Sequence, residues 1–206
     1  MNAIQLKKII PSLLVVTSLF FSTVAMAKSK ELIDADRTVM QVTTSVISQL
    51  NANKEKYEKN TQLLNNMLRK DLLPFIDFKA MSKLTLGKHW RKASPAQRVR
   101  FTNAYREMLV RSYGKIMLKY VGSTIRLGNS VAGKKPGYAI VKTVVTPKNG
   151  APVTANYFVR NTSGRWKTYN VIIGGVNIIT NFRTNFTREV SNKGLDALSA
   201  RLESIK

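Results

Sequence analysis

The stretch VIIGGVNIITNF, Val171–Phe182, carries apolar residues into a glycine pair and leaves it with apolar residues at a different spacing. Val171 to Ile173 reads as the end of a strand, Gly174-Gly175 as a turn, and Val176 onward as a helix. Phosphate-binding loops are built at such junctions. A P-loop, however, needs spaced glycines running into Lys and Ser or Thr, and a dinucleotide turn needs a third glycine and a downstream acid. Gly174-Gly175-Val176-Asn177-Ile178 has neither. The pair is therefore expected to be a bend among apolar residues, at least one glycine requiring positive φ or lacking room for a side chain.

Upstream of this bend the period is two. Tyr138, Ile140 and Val144, then Val153, Ala155, Tyr157 and Val159, alternate with residues such as Lys142, Asn156 and Arg160 across the turn Pro147-Lys148-Asn149-Gly150. Asn161-Thr162-Ser163-Gly164 forms the next turn and Trp166 to Ile173 the next strand. With Thr124 to Val131 these make an antiparallel meander of about four strands.

Before the sheet the period is helical. Leu32, Val39 and Val46, with Ile33, Met40 and Ile47, stripe a helix from Leu32 to Leu50. A second is expected from about Glu55 to Leu73, ended by Pro74, and a short third capped by Asp77 and stopped at Gly87. Ser94-Pro95-Ala96-Gln97 is a capping box with proline at the first helical position, and the helix it opens runs toward Gly122. Helix returns from Val176 to about Lys193 and from Leu195 to Ile205. The order implies an α+β domain with helices on one face of an antiparallel sheet.

Lys7 and Lys8 precede an apolar run, Ile9 to Val24, that ends at Ala25-Met26-Ala27, the pattern of a secretory signal peptide over residues 1–27. The mature domain is then 28–206, without cysteine for a disulfide framework or for lipidation. The whole chain carries 34 Lys and Arg against 11 Asp and Glu, a net +23. Cleavage removes two lysines and leaves about +21. Nucleic acid and anionic membrane are the partners that fit such charge; export and the scatter of basic residues from Lys28 to Lys206 argue against nucleic acid.

Catalysis is poorly provisioned. The chain has one histidine, His89, and its acids show no spacing suggestive of a paired acid and base or a metal cluster. His89 reads as a structural hydrogen bonder, and no cofactor is expected. What the chain has in surplus is apolar and aromatic side chains in the sheet and in the helix carrying Tyr105, Met108 and Tyr113. Composition does not separate a filled core from a hollow one.

Leu72-Leu73-Pro74-Phe75-Ile76-Asp77-Phe78, Met81, Leu86-Gly87-Lys88-His89-Trp90-Arg91-Lys92-Ala93-Ser94-Pro95-Ala96-Gln97-Arg98, Phe101 and Tyr113-Gly114 together resemble the MlaC family, the toluene-tolerance periplasmic phospholipid-binding proteins. Asn170 to Asn177 is similar to that family's strand entering its last helix, and the resemblance spans about Lys30 to Ile205. It implies a fold enclosing a deep apolar cavity for the acyl chains of a glycerophospholipid, the headgroup facing solvent. It implies a non-enzymatic carrier between an outer-membrane lipoprotein complex and an inner-membrane complex with an MCE-domain ring and an ATPase, maintaining outer-membrane lipid asymmetry. Cavity-lining roles then fall to Phe75, Leu84, Tyr105, Met108, Leu109, Val144, Tyr157, Val171, Ile173 and Ile179, and fold-bearing roles to Trp90 and Arg91. Lys and Arg near the mouth would meet headgroups or an anionic membrane. The rival readings are a secreted basic polyanion-binding or nucleic-acid-binding protein, whose affinity falls steeply with salt, and a secreted enzyme dependent on His89.

Overall fold

The computed structural model of the chain describes residues 29–205, so the expected signal peptide lies outside the described residues. Helix α1, Lys30–Ala52, starts where the Ser29 hydroxyl accepts a hydrogen bond from the Leu32 N–H at 3.3 Å. Its apolar stripe serves two partners. Leu32, Ala35 and Val39 pack on the sheet residues Ala139, Val141, Val159 and Trp166, while Val46 and Leu50 meet Tyr57, Leu64, Met67 and Leu68.

The expected second helix is broken into α2, Lys54–Lys59, and α3, Thr61–Met67, followed by a π-helical turn, Leu68–Leu72, and a 3-10 turn, Leu73–Phe75. The apolar spacing is helical throughout, but Asn60 competes with it: its side-chain oxygen accepts from the Gln62 and Leu63 N–H groups and starts a new helix. Helix α4, Phe78–Leu86, is capped by Asp77, whose carboxylate accepts from the Ala80 N–H at 2.9 Å. Gly87, at φ +54, turns the chain into α5, Lys88–Lys92.

The capping box forms as its spacing predicts: the Ser94 hydroxyl accepts from the Gln97 N–H at 3.2 Å and Gln97 Oε1 accepts from the Ser94 N–H at 3.0 Å. The helix it opens, α6, is Pro95–Tyr113, shorter than expected; beyond Gly114 the chain tightens into a 3-10 segment, Lys115–Tyr120. Gly114 sits where a Cβ would lie 2.6 Å from both Asn65 Oδ1 and the Val110 carbonyl oxygen, so a side chain at 114 would force a shift of the backbone here.

The sheet has six strands rather than four: β1 Thr124–Leu127, β2 Val131–Ala132, β3 Tyr138–Thr146, β4 Val153–Thr162, β5 Arg165–Ile173 and β6 Val176–Asn177, in the order β1-β3-β4-β5-β6 with β2 also paired to β3. All strand pairs are antiparallel. The first expected strand divides because Gly128 and Ser130 bond Lys142 main chain between its halves. The glycine pair is a turn, as its sequence indicates, with Gly174 at φ +54 and Gly175 at φ +82. Two consecutive left-handed residues close a tight hairpin, so Ile173 pairs with Val176 and Ile172 with Asn177 before the helix begins. Helix α7 is Ile178–Lys193, capped by Asn177, and α8 is Leu195–Ser204.

The helices α4 to α8 share one core. In it Phe101, Tyr105, Phe182 and Phe186 form ring pairs with centroids 5.3 to 6.0 Å apart, mostly edge-on. Between this core, the sheet and α1 lies a gap.

Candidate functional site

The gap is a cavity of about 340 Å³. One wall is α1, contributing Val39, Val42, Val46 and Ile47; the opposite wall is the inner sheet face, with Val145, Val153, Ala155, Tyr157, Val159 and Val171. The segment from the π-turn to α4 supplies Leu68, Leu72, Leu73, Phe75 and Ile76, and the end of α6 with its 3-10 extension supplies Leu109, Tyr113, Ile116 and Met117. Among the described residues, no lining side chain is charged. Phe75, Tyr113, Ile116 and Ile173, 38 to 44% exposed, are the most exposed of the lining side chains and frame the opening.

Local chemistry explains why the space stays open. Valine and alanine dominate the inner sheet face: Ala139, Val141 and Val159 pack on the first turns of α1, whereas Val145, Val153 and Ala155 join no packed cluster with the rest of that helix, and the large rings are gathered in the helical core. The wall containing Phe75 is held off by tethers rather than by packing. The Asp77 N–H donates to the Thr168 carbonyl at 2.8 Å, and Ile76 bridges to Thr168. Asp77 is buried, and its second carboxylate oxygen accepts from Arg160 Nε at 2.6 Å. That ion pair joins β4 to the start of α4, and removing Arg160 would leave the buried Asp77 carboxylate uncompensated.

The polar groups inside are hydroxyls. Thr43 Oγ1 donates to the Val39 carbonyl at 2.8 Å, and the Tyr157 hydroxyl lies against the hydroxyls of Thr43 and Thr143, with Tyr120 nearby. Burial raises the Tyr157 pKa above its usual value, so the phenol stays neutral. The arrangement can hold a long apolar molecule with uncharged polar groups.

Of the ten residues expected to line a cavity, Phe75, Leu109, Tyr157, Val171 and Ile173 do so and are brought together from four elements of the chain. The other five lie elsewhere. Val144 is on the outer sheet face, opposite Thr154; its neighbour Val145, opposite Val153, faces inward. Lys142 shares the parity of Val144, and that charge was the available signal that the set faces out. Ile179 turns into the helical core while Ile178 lines the cavity, because α7 starts two residues later than expected. Tyr105 is fully buried against Phe101, Phe182 and Phe186, and Met108 is 3% exposed in the same core, bordering a separate groove between α6, α7 and α8. Leu84 is 37% exposed, its carbonyl accepting from Arg183.

The α1 and π-turn walls were not anticipated. The second apolar row of α1, which includes Ile47, was their one sequence signal, since a helix packed on a single partner needs a narrower stripe. Trp90 is buried under the Arg98 guanidinium, 5.5 Å from the ring centroid, and Arg98 also donates to the carbonyls of Trp90 and Arg91. The Arg91 residue itself is exposed, so its part in this junction is its main chain. His89 Nε2 is buried without a hydrogen-bond partner, and burial, with Lys88 and Lys92 adjacent, lowers its pKa; it lies on α5, outside the cavity.

The family described as MlaC protein matches residues 40–204 of the chain. Toluene tolerance protein ttg2D of Pseudomonas putida is 35% identical over 161 residues, covering 77% of this chain and 74% of that protein. The intermembrane phospholipid transport system binding protein MlaC of Haemophilus influenzae is 25% identical over 207 residues, 98% of this chain and 95% of that one. Among solved structures, a phospholipid-binding protein from Ralstonia solanacearum in complex with a phospholipid superposes with a TM-score of 0.72 at 23% identity, covering 82% of this chain and 98% of that chain. At that identity the match shows a common fold.

Proposed function

The chain belongs to the MlaC family, and from that premise we propose that it is a periplasmic carrier of glycerophospholipid. The acyl chains occupy the cavity and the headgroup stays at the mouth framed by Phe75, Tyr113, Ile116 and Ile173. The single observation that carries this reading is an open cavity of about 340 Å³ whose lining, among the described residues, holds no charged residue. At about 0.8 kcal/mol per methylene, exposing some thirty acyl methylenes to water costs on the order of 20 kcal/mol, so lipid does not cross an aqueous gap unaided. A carrier that shields them lowers that barrier and must then yield its load to a competing partner. An outer-membrane lipoprotein complex and an inner-membrane MCE-domain and ATPase complex are the partners this reading assigns, and maintenance of outer-membrane lipid asymmetry is its physiological role. The signal-like segment 1–27 would export the chain, and its excess of basic residues would steer it to anionic bilayers.

The test is organic-solvent extraction of the purified protein followed by mass spectrometry, with native mass spectra of the same preparation. Diacyl phospholipid of mixed headgroup is expected. Val171→Arg, which sets an unpaired charge in the cavity wall, should abolish retention, and His89→Ala should keep it. Folded protein with background lipid alone would overturn the proposal. Salt that strips lipid from folded protein would favour the polyanion-binding reading, since apolar burial is not screened.

A further inference from the structure

The cavity is not uniformly greasy, and its polar groups have an internal accounting. Thr43 commits its hydroxyl proton to the Val39 carbonyl and Thr143 commits its own to the Ala155 carbonyl at 3.3 Å. Each therefore offers the adjacent Tyr157 only lone pairs. Because each threonine already donates to a main-chain carbonyl, giving the Tyr157 hydroxyl proton to a ligand leaves neither threonine without a partner. Tyr120, also on the cavity wall, stands beside Tyr157.

The depth of this group restricts what it can meet. Ile173 at the mouth pairs with Ala155, and Tyr157 is the next inward-facing residue of β4, about 7 Å further along the strand. A phosphate has no cation to pair with among the lining residues and stays outside. The ester groups follow the phosphate by a few bonds, and they are the polar groups drawn in with the chains. An ester carbonyl buried without a donor is costly, and the phenol is a neutral donor at the matching depth.

We propose, resting on the phospholipid reading above, that the Tyr157 hydroxyl, backed by Thr43 and Thr143 and flanked by Tyr120, is an ester-recognition subsite that selects diacyl over dialkyl-ether lipids. The ether analogue has the same chains and headgroup but no carbonyl, so it fills the cavity and leaves the phenol without its ligand acceptor.

The experiment measures competition between diacyl and dialkyl phosphatidylethanolamine of equal chain length for the delipidated full-length mature protein, supplied from vesicles. The readout is the affinity ratio of the two lipids. Wild type is expected to favour the diacyl lipid by about three- to tenfold, the range of one net hydrogen bond. Tyr157→Phe, which removes only the oxygen, should bring the ratio to about one. Tyr105→Phe, which removes the same oxygen from the filled helical core outside the cavity, should hold the wild-type ratio, and the wild-type ratio itself stands as the test if Tyr157→Phe does not fold. A wild-type ratio near one, an unchanged ratio in Tyr157→Phe, or an equal collapse in Tyr105→Phe each overturns the subsite. If neither lipid binds the wild-type protein, the carrier reading itself has failed.

Discussion

The helical half and the sheet half of this molecule use apolar side chains to opposite ends. In the helical half, Phe101, Tyr105, Phe182 and Phe186 interlock and Leu198 and Leu202 are 0 and 1% exposed, so the core is filled, and the groove that Phe182, Phe186 and Leu202 also border lies at its surface between α6, α7 and α8. In the sheet half, Val145, Val153 and Ala155 face α1 across an opening, and lining residues such as Ile173 remain 38% exposed. The contrast teaches that emptiness is set by side-chain reach and by the spacing of the walls. Tethers at Asp77 and the broken helix from Asn60 to Phe75 hold those walls apart.

The largest expected effect breaks the comparison if it fails. Leu198→Ala in the filled half should cost about 3–5 kcal/mol, because neighbours on every side lose contacts, whereas Ile173→Ala at the cavity mouth should cost about 1 kcal/mol or less. Urea denaturation of the two variants measures this, and equal losses would mean that the halves are packed alike. The opposite substitution sharpens it. Ala104 and Ala155 are 3% and 2% exposed, yet only Ala155 borders the cavity. Ala104→Leu should overpack its core and cost about 1–3 kcal/mol, while Ala155→Leu should leave stability nearly unchanged and reduce retained lipid.

A smaller effect concerns the turn that ends the sheet half. Gly175, at φ +82, has open space around a would-be Cβ, so Gly175→Ala meets strain in the backbone alone. A cost on the order of 1 kcal/mol is expected in thermal melts, and Gly175→Val should cost more. Unchanged melts in both variants would show that the hairpin does not depend on that conformation.

The smallest effect joins the halves. Arg69 on the π-turn donates to Glu107 on α6 through Nε at 3.0 Å and Nη2 at 2.8 Å. Burial alone would raise the Glu107 pKa, but Arg69, helped by Arg106, outweighs it and holds the value below the usual 4.5. A depressed carboxylate contributes stability that is present above its unfolded value and is lost as pH falls through the lower folded value. Arg69→Ala should therefore cost less than about 1 kcal/mol at neutral pH and flatten the decline in stability below pH about 4.5. Denaturant curves at several pH values decide it, a parallel decline in both proteins counting against the pair.

Features that depend on a few adjacent residues were legible in the chain. The Ser94–Gln97 capping box, the Asp77 cap, the stop at Gly87 and the positive φ of Gly174 and Gly175 all follow from local hydrogen bonding and backbone sterics. The α+β order and the meander followed from the change of hydrophobic period. The break at Asn60 was less legible, because an apolar stripe continues straight through a residue whose side chain prefers to cap.

The hollow was another matter. Tyr105 and Tyr157 both present large rings within apolar strips, yet Tyr105 closes the helical core and Tyr157 stands in the cavity wall. Val144 and Val145 are adjacent valines, and only the register with β4 decides which of them faces inward. By itself the sequence determined the caps, the turns, the periods and the excess of basic charge, since each depends on composition or on neighbours a few residues away. The tertiary structure alone decided which apolar side chains meet one another and which meet open space, because that is set by the separation of walls contributed by segments far apart along the chain.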